Sequence, residues 1–177
     1  MNTKPDSDGF SLRDASPEDI PALSQLHVQA FQETHGDGPT IALREQQWRT
    51  KFDSGQLLFC IVIENEARKL IGFASGELHK DEQREFDGEL NKIYLLREYH
   101  RRGLGRQLLC AAANRFKEQG INSMLLFGDA KSPTNGFYEA MGGQRLYGSN
   151  GKFHGSYGWA DLGREPINSS GSPQVNA

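Results

Sequence analysis

The chain is short of several features that define whole classes of protein. Cysteine is scarce: Cys60 and Cys110 are the only two in 177 residues, too few for a disulfide framework. Both lie in apolar runs (LLFCIVI and QLLCAAA), where a buried free thiol is the expected state, and such thiols fit a reducing compartment. Long hydrophobic runs are also missing. The longest covers only residues 57–63, whereas a bilayer-spanning helix needs about twenty apolar residues. The opening MNTKPDSDG has no apolar segment of the kind a secretory signal carries, so the expected location is cytoplasmic. There is no basic excess either. A net charge of −3 creates no global field for nucleic acid or anionic lipid, and neither is an expected partner. His27, His35, His79 and His154 show none of the short His or Cys spacings of a metal site, so no metal is expected.

What is present is enough chain for one domain with its own core, since about 100–200 residues is the usual size. Residues 1–8 and 164–177 lack periodicity and are rich in Ser, Pro, Asn and Gly, which predicts two disordered tails around a single domain over 9–163. Inside it, 10–13 alternates like a short strand. Ser16-Pro17-Glu18-Asp19 opens a helix with a cap, a first-turn proline and two acids, and Ile20, Leu23, Leu26, Ala30 and Phe31 continue it at helical spacing. A second helix is expected over 40–52, strands over 56–64 and 69–78 around the turn 65–68, and a further strand over 89–96. The most regular helix runs over 103–119, with Leu104, Leu108, Leu109, Ala112 and Phe116 on one stripe. A buried strand over 123–127, a short helix over 133–141 and strands over 144–147 and 156–162 complete a mixed α/β layer with helices on both sheet faces. Trp48, Trp159 and Phe137 are expected in or beside the core.

The informative segment is YLLREYHRRGLGRQLL, residues 94–109. A strand enters a loop carrying His100, Arg101 and Arg102, and Gly103-Leu104-Gly105 then opens the long helix. Glycine lets the backbone approach a ligand closely. The first-turn N–H groups have no partner within the helix, and the helix dipole favours an anion there. The P-loop pattern is absent, and the dinucleotide fingerprint fails because its third glycine position is Leu108.

Strand, then [Q/R]-x-x-G-x-[G/A], then helix resembles the acetyl-CoA-binding motif of the GNAT family of N-acetyltransferases. The downstream Asn135-Gly136-Phe137-Tyr138 resembles the family's Asn and aromatic-Tyr pair. The likeness runs from Ser11 to Leu162. It implies a central, mostly antiparallel sheet of about six or seven strands flanked by about four helices, the acyl-CoA N-acyltransferase fold. It further implies direct transfer of acetyl from acetyl-CoA to a primary amine. One position departs: His100 stands where the motif has Gln or Arg, and a histidine there makes cofactor binding more sensitive to pH.

The resemblance also implies residue roles. The pantetheine arm would pair with the strand at Ile93, Tyr94 and Leu95, and a backbone N–H near Leu95 would hold the thioester oxygen. His100, Arg101, Arg102, Gly103, Gly105 and Arg106 would surround the pyrophosphate, and Asn135 would position the cofactor or simply cap its helix. Tyr138 would protonate the departing thiolate, or pack its ring on the sheet. Glu89, at the start of the strand, would be the general base, directly or through a water. Tyr94 and Glu98 are weaker candidates, ordered water alone is another, and an exposed strand-end carboxylate would read the same way.

The acceptor is less defined. The net acidic run 79–89, expected as a solvated hairpin tip, favours a cationic amine beside the site. The expected acceptor is therefore a small cationic molecule: a polyamine, an amino acid or an antibiotic. A protein or peptide acetyltransferase and an acetyl-CoA-binding sensor without turnover are the alternatives. Family members are often dimers through their last strands, so a homodimer is one expectation.

Overall fold

The computed structural model describes residues 9–80 and 85–169. Residues 1–8 and 170–177, in the two expected tails, and 81–84, in the expected hairpin tip, lie outside the described residues. In chain order the elements are β1 (Phe10–Asp14), a 3-10 turn (Pro17–Asp19), α1 (Ile20–His35), α2 (Ile41–Asp53), β2 (Leu57–Asn65), β3 (Leu70–Leu78) and β4 (Gly88–Leu95). A second 3-10 turn (Arg97–Tyr99) follows, then α3 (Leu104–Glu118), β5 (Met124–Leu126), α4 (Asn135–Ala140), β6 (Gln144–Tyr147) and β7 (Phe153–Trp159). The strands form one sheet in the order β1-β2-β3-β4-β5-β7-β6. Every neighbouring pair is antiparallel except β4 with β5, which is parallel. Seven strands and four α-helices match the expected architecture.

Local chemistry explains the main boundaries. The Ser16 N–H donates to the Asp19 carboxylate at 2.8 Å, closing the turn that leads into α1. Asp19 is also gripped by Arg13 at 2.8 and 2.9 Å, which holds its carboxyl below the usual range. Thr40 Oγ1 accepts the Leu43 N–H at 3.3 Å and caps α2.

Strand alternation sorts side chains onto two faces with period two. Phe59, Ile61 and Ile63 of β2 join Leu104, Leu108, Leu109, Ala112, Ala113 and Phe116 of α3 in one core cluster. Cys60 and Val62 point the other way and join Ile20, Leu23, Leu26, Ala30, Trp48 and Phe73 under α1 and α2. Both thiols are free and buried, and burial pushes Cys60 up to about 12. Trp48 and Trp159 are both 3% exposed, in the core as expected.

The largest differences from the sequence reading lie toward the C-terminal end. The last strand begins at Phe153 rather than 156, because β6 and β7 form a hairpin in which Tyr147 pairs with Phe153; aromatic packing of Tyr147 on Phe153 at 6.2 Å extends the ladder. The domain also continues past 163. Ile167 is 1% exposed in the α3-side core, and Lys117 and Arg106 hydrogen-bond Asn168 and Ser169. One apolar residue in a polar stretch carries no periodic signal, so the sequence reads as tail.

Candidate active site

β4 is paired along its whole length on one edge and almost unpaired on the other. Its register with β3 runs from Leu78 opposite Gly88 to Gly72 opposite Leu95. With β5 it pairs only at Gly88–Met124 and Glu89–Leu125. The two strands then part. The Leu96 N–H bonds Ile71 O at 2.9 Å on the β3 side, so backbone alternation turns the polar groups of Ile93 and Leu95 into the split. The expected cofactor edge is therefore an open strand edge. His100 Nε2 lies 2.9 Å from Leu95 O, clamping the loop to that edge.

Beyond the split, Gly103 caps α3 with φ of 76° and supplies no side-chain cap bond. Arg101, at φ of 64°, also adopts the left-handed region. The first N–H groups of α3 therefore face out of a concave turn, a geometry suited to an anion. Gly103 needs its glycine for this backbone. A Cβ on Gly105 would meet only the Phe137 ring, at 3.6 Å.

The remaining loop residues divide. Arg101 and Arg102 are exposed, with the Arg102 guanidinium 5.4 Å from the Tyr99 ring centre. Arg106, expected at the pyrophosphate, donates to Ser169 Oγ at 2.6 Å in the C-terminal segment that the sequence reading left unstructured. Asn135 Nδ2 donates to Asp129 O and Ala130 O at 3.1 and 3.0 Å, while its Oδ1 is buried without a partner. That orphaned acceptor suits an amide N–H of a pantetheine arm, and with the open β4 edge and the α3 turn it makes these residues fit coenzyme A.

Tyr138 packs its ring 5.5 Å from Tyr157 and 6.4 Å from Trp159. Burial pushes its phenol up to about 12, with the nearby Tyr94 and Tyr157 adding to the effect. Tyr138 is thus both packed and close to β4. Ile93 and Leu95 pack toward the α3 core, whereas Tyr94 faces the other way, its ring 5.2 Å from His27 and 5.5 Å from Phe73.

Glu89 sits in a built carboxylate cluster. A β-bulge places Gly76 opposite Leu90 but Ser75 opposite Lys92, leaving Asn91 as the extra residue. The bulge resets the alternation, so Leu90 packs toward α3 while Lys92 and Tyr94 share the α1–α2 face. Glu77 stands directly opposite Glu89. Asn91 Nδ2 lies 3.2 Å from Glu77 Oε1 and 3.5 Å from Glu89 Oε1. Lys51 grips Glu77 at 2.5 Å, and His79 Nδ1 lies 3.1 Å from Glu89 Oε2. Sequence reasoning tested His79 only against metal spacings and missed it; its place in the hairpin, facing the start of β4, was the available signal. Glu98, the weaker candidate, is exposed on the 3-10 turn. A separate concavity of about 390 Å³, lined by Asp14, Phe52, Leu57, Phe59 and Arg115 among others, lies at the β1–β2 end and contains none of these groups.

Comparison with known proteins agrees with this geometry. Residues 20–142 match the family model of the acetyltransferase (GNAT) family. YuaI of Bacillus subtilis (strain 168), an uncharacterized N-acetyltransferase, is 32% identical over 162 residues, 86% of this chain and 94% of its own length. Among solved structures, the PaiA N-acetyltransferase of Thermoplasma acidophilum in complex with coenzyme A superposes with a TM-score of 0.64 at 19% identity, over 84% of this chain and 97% of its own. YncA of Salmonella typhimurium, solved with acetyl-CoA, gives 0.65 at 14% identity over 92% and 99%. The fold and the split strand define an acyl-CoA-dependent N-acetyltransferase. The chain belongs to the GNAT family.

Among the described residues no helix is long and apolar enough to cross a membrane, and no three His, Cys, Asp or Glu side chains are grouped to hold a metal ion.

Proposed function

We propose that this chain transfers acetyl from acetyl-CoA directly to the primary amine of a small molecule. The observation that carries the reading is the parted β4–β5 pair, whose free edge at residues 93–95 leads straight to the uncapped N-terminus of α3. The pantetheine arm lies along that edge and the pyrophosphate sits in the turn formed by residues 100–105. Asn135 Oδ1 accepts from the arm.

At the thioester, an N–H on the same edge donates to the oxygen as it gains charge. The amine must be neutral to attack, whereas an alkylammonium ordinarily holds its proton to about pH 10. Glu89, steadied by His79 and Asn91, takes that proton directly or through a water. The nitrogen lone pair forms the C–N bond, and the C–S bond breaks to release thiolate. Tyr138 was expected to protonate this sulfur. In this reading its hydroxyl, which burial keeps protonated by raising it to about 12, faces the sulfur as the C–S bond breaks and supplies it with a hydrogen bond and a proton. The ammonium sheds two protons on its way to the amide, one before attack and one from the nitrogen once the C–N bond has formed: one ends on sulfur and the other leaves to solvent.

The test is release of free coenzyme A from acetyl-CoA across polyamines, amino acids, aminoglycosides and lysine peptides. Turnover on a small amine supports the reading. Turnover only on peptides moves the acceptor to protein, and acetyl-CoA binding without turnover on any class supports a sensor. Failure to bind acetyl-CoA overturns the reading.

A further inference from the structure

Six buried side-chain polar atoms among the described residues have no hydrogen-bond partner: Ser24 Oγ, His27 Nδ1, Arg44 Nε, Trp48 Nε1, Ser75 Oγ and Asn135 Oδ1. Five of the six belong to α1, α2 and β3, on the face of the sheet that carries Lys92 and Tyr94. Native interiors satisfy nearly all such atoms, so a concentration of exceptions in one layer calls for a cause.

Arg44 is the most demanding of them. It is 8% exposed and forms no ion pair among the described residues. Its Nη1 donates to Gln47 Oε1 at 3.0 Å, and its guanidinium carbon stands 5.4 Å from the Phe31 ring centre. Lys92 is half-buried, also without an ion pair among the described residues; burial and then the nearby Arg44 and Lys51 oppose its charge, and Glu77 and Glu89 offset this less. Tyr94, beside them, is near enough to feel the Arg44 charge. A buried guanidinium with no counter-ion is costly. Its planar fork of donors matches a carboxylate, and Arg44 Nε, Trp48 Nε1 and the Lys92 ammonium can only donate. The group that satisfies this set is an anion with several acceptor oxygens.

The position on β4 says what that anion is attached to. Lys92 and Tyr94 flank Ile93, whose backbone faces the thioester edge, so an anion held there lies next to the attacking nitrogen. The acids Glu77 and Glu89 follow on the same face toward the start of the strand. Positive charge at one end and negative at the other fit a zwitterion.

Resting on the acetyltransferase reading above, we propose that the acceptor is an amino carboxylate, such as a free amino acid, with its carboxylate held by Arg44 and Lys92 and its amine directed toward Glu89. This separates one of the expected acceptors from the others: a polyamine offers nothing to Arg44.

The experiment uses the full chain with acetyl-CoA. It compares the common amino acids with their methyl esters and with the matching decarboxylated amines, by coenzyme A release, alongside acetyl-CoA binding by calorimetry. At least one amino acid should be turned over with kcat/KM about 10-fold or more above its ester and amine. Arg44→Gln should erase that ratio by raising KM for the amino acid about 10- to 100-fold, with acetyl-CoA affinity unchanged, and Arg44→Lys should restore part of it. If Arg44→Gln fails to fold, Lys92→Gln at its half-buried position should lower the same ratio. Esters or amines turned over as well as the amino acids would overturn the proposal, and so would turnover confined to polyamines, aminoglycosides or peptides. Loss of acetyl-CoA binding in the unaltered chain would instead overturn the acetyltransferase reading beneath it.

Discussion

The central sheet has two covered faces, and they are built differently. Under α3, Leu104, Leu108, Leu109, Ala112, Ala113 and Phe116 meet Phe59, Ile61 and Ile63 in one apolar cluster, and among the described residues α3 carries no buried side-chain polar atom without a partner. Under α1 and α2 an apolar cluster of similar make-up is interrupted by Ser24, His27, Arg44 and Ser75, all buried and each with an unpartnered polar atom. The face under α3 serves packing, while the backbone edge beside it is the one proposed above to take the cofactor. The face under α1 and α2 gives up packing for polar groups that nothing among the described residues satisfies, the compromise expected where side chains serve a ligand.

Substitutions that exchange the properties of the two faces should expose this contrast. The largest effect is expected under α3. Leu108 is fully buried, and Leu108→Ala leaves a cavity in a layer of rigid neighbours. It should cost about 2–5 kcal/mol in urea unfolding while acceptor preference stays the same. A cost below about 1 kcal/mol would mean that this face is as loosely packed as the other.

Next is the boundary between the faces. Tyr138→Phe keeps the ring packed against Tyr157 and Trp159 and removes only the hydroxyl. Losing a hydrogen bond to a thiolate should lower kcat by about 2 kcal/mol, or about 30-fold, with acetyl-CoA affinity unchanged by calorimetry. Because the phenol titrates near 12, an alkaline loss of activity well below that pH belongs to another group. Unchanged turnover would leave Tyr138 as a packing residue only.

A third effect follows from His27, which burial holds neutral down to about 3, with Arg44 and Lys92 adding to the shift. In the unfolded chain it protonates near about 6.5. Between those values the unfolded state holds the extra proton, so stability rises with pH across the window and is lost as pH falls below the upper limit. At about pH 5.5 the loss should be about 1.4 kcal/mol. Comparing urea unfolding of the wild type with His27→Leu isolates it from the carboxylates, and equal slopes would show that His27 is not neutral in the fold.

The two faces also differ in how much of them could be read from sequence. The α3 stripe and the glycine-opened turn are contiguous in the chain, so periodicity marks the helix and a turn suited to an anion, while the coenzyme and the part of Asn135 in holding it are implied only by the family resemblance. The carboxylate cluster depends on a bulge at Asn91 and on the β3–β4 register, neither of which has a local signature. Glu89 was therefore legible only through resemblance, and His79 only through its place in the hairpin facing the start of β4. Arg44 is hidden for a different reason. In IALREQQWRTKFD it is one of several charged residues on a polar helix, and only the packing of α2 against Phe31 and the sheet shows that this arginine, and not Arg49, is buried.

The smallest expected effect is also the most diagnostic, because its sign is unusual. Replacing a buried, ion-paired arginine normally destabilises by stranding its partner. Arg44 strands nothing charged: it has no carboxylate among the described residues, and its charge opposes Lys92 and His27. Burial already weakens its hold on its proton. Arg44→Met keeps a long flexible stem against Phe31 and removes both the desolvated charge and the orphaned Nε. Stability should rise by about 1 kcal/mol, against the partial loss of the Gln47 hydrogen bond, even as turnover of the acceptor falls. A variant that is more stable and less active is what a binding arginine produces. A variant that loses stability and keeps its acceptor preference would show that Arg44 belongs to the packing of α2, and the contrast between the two faces would then end at His27.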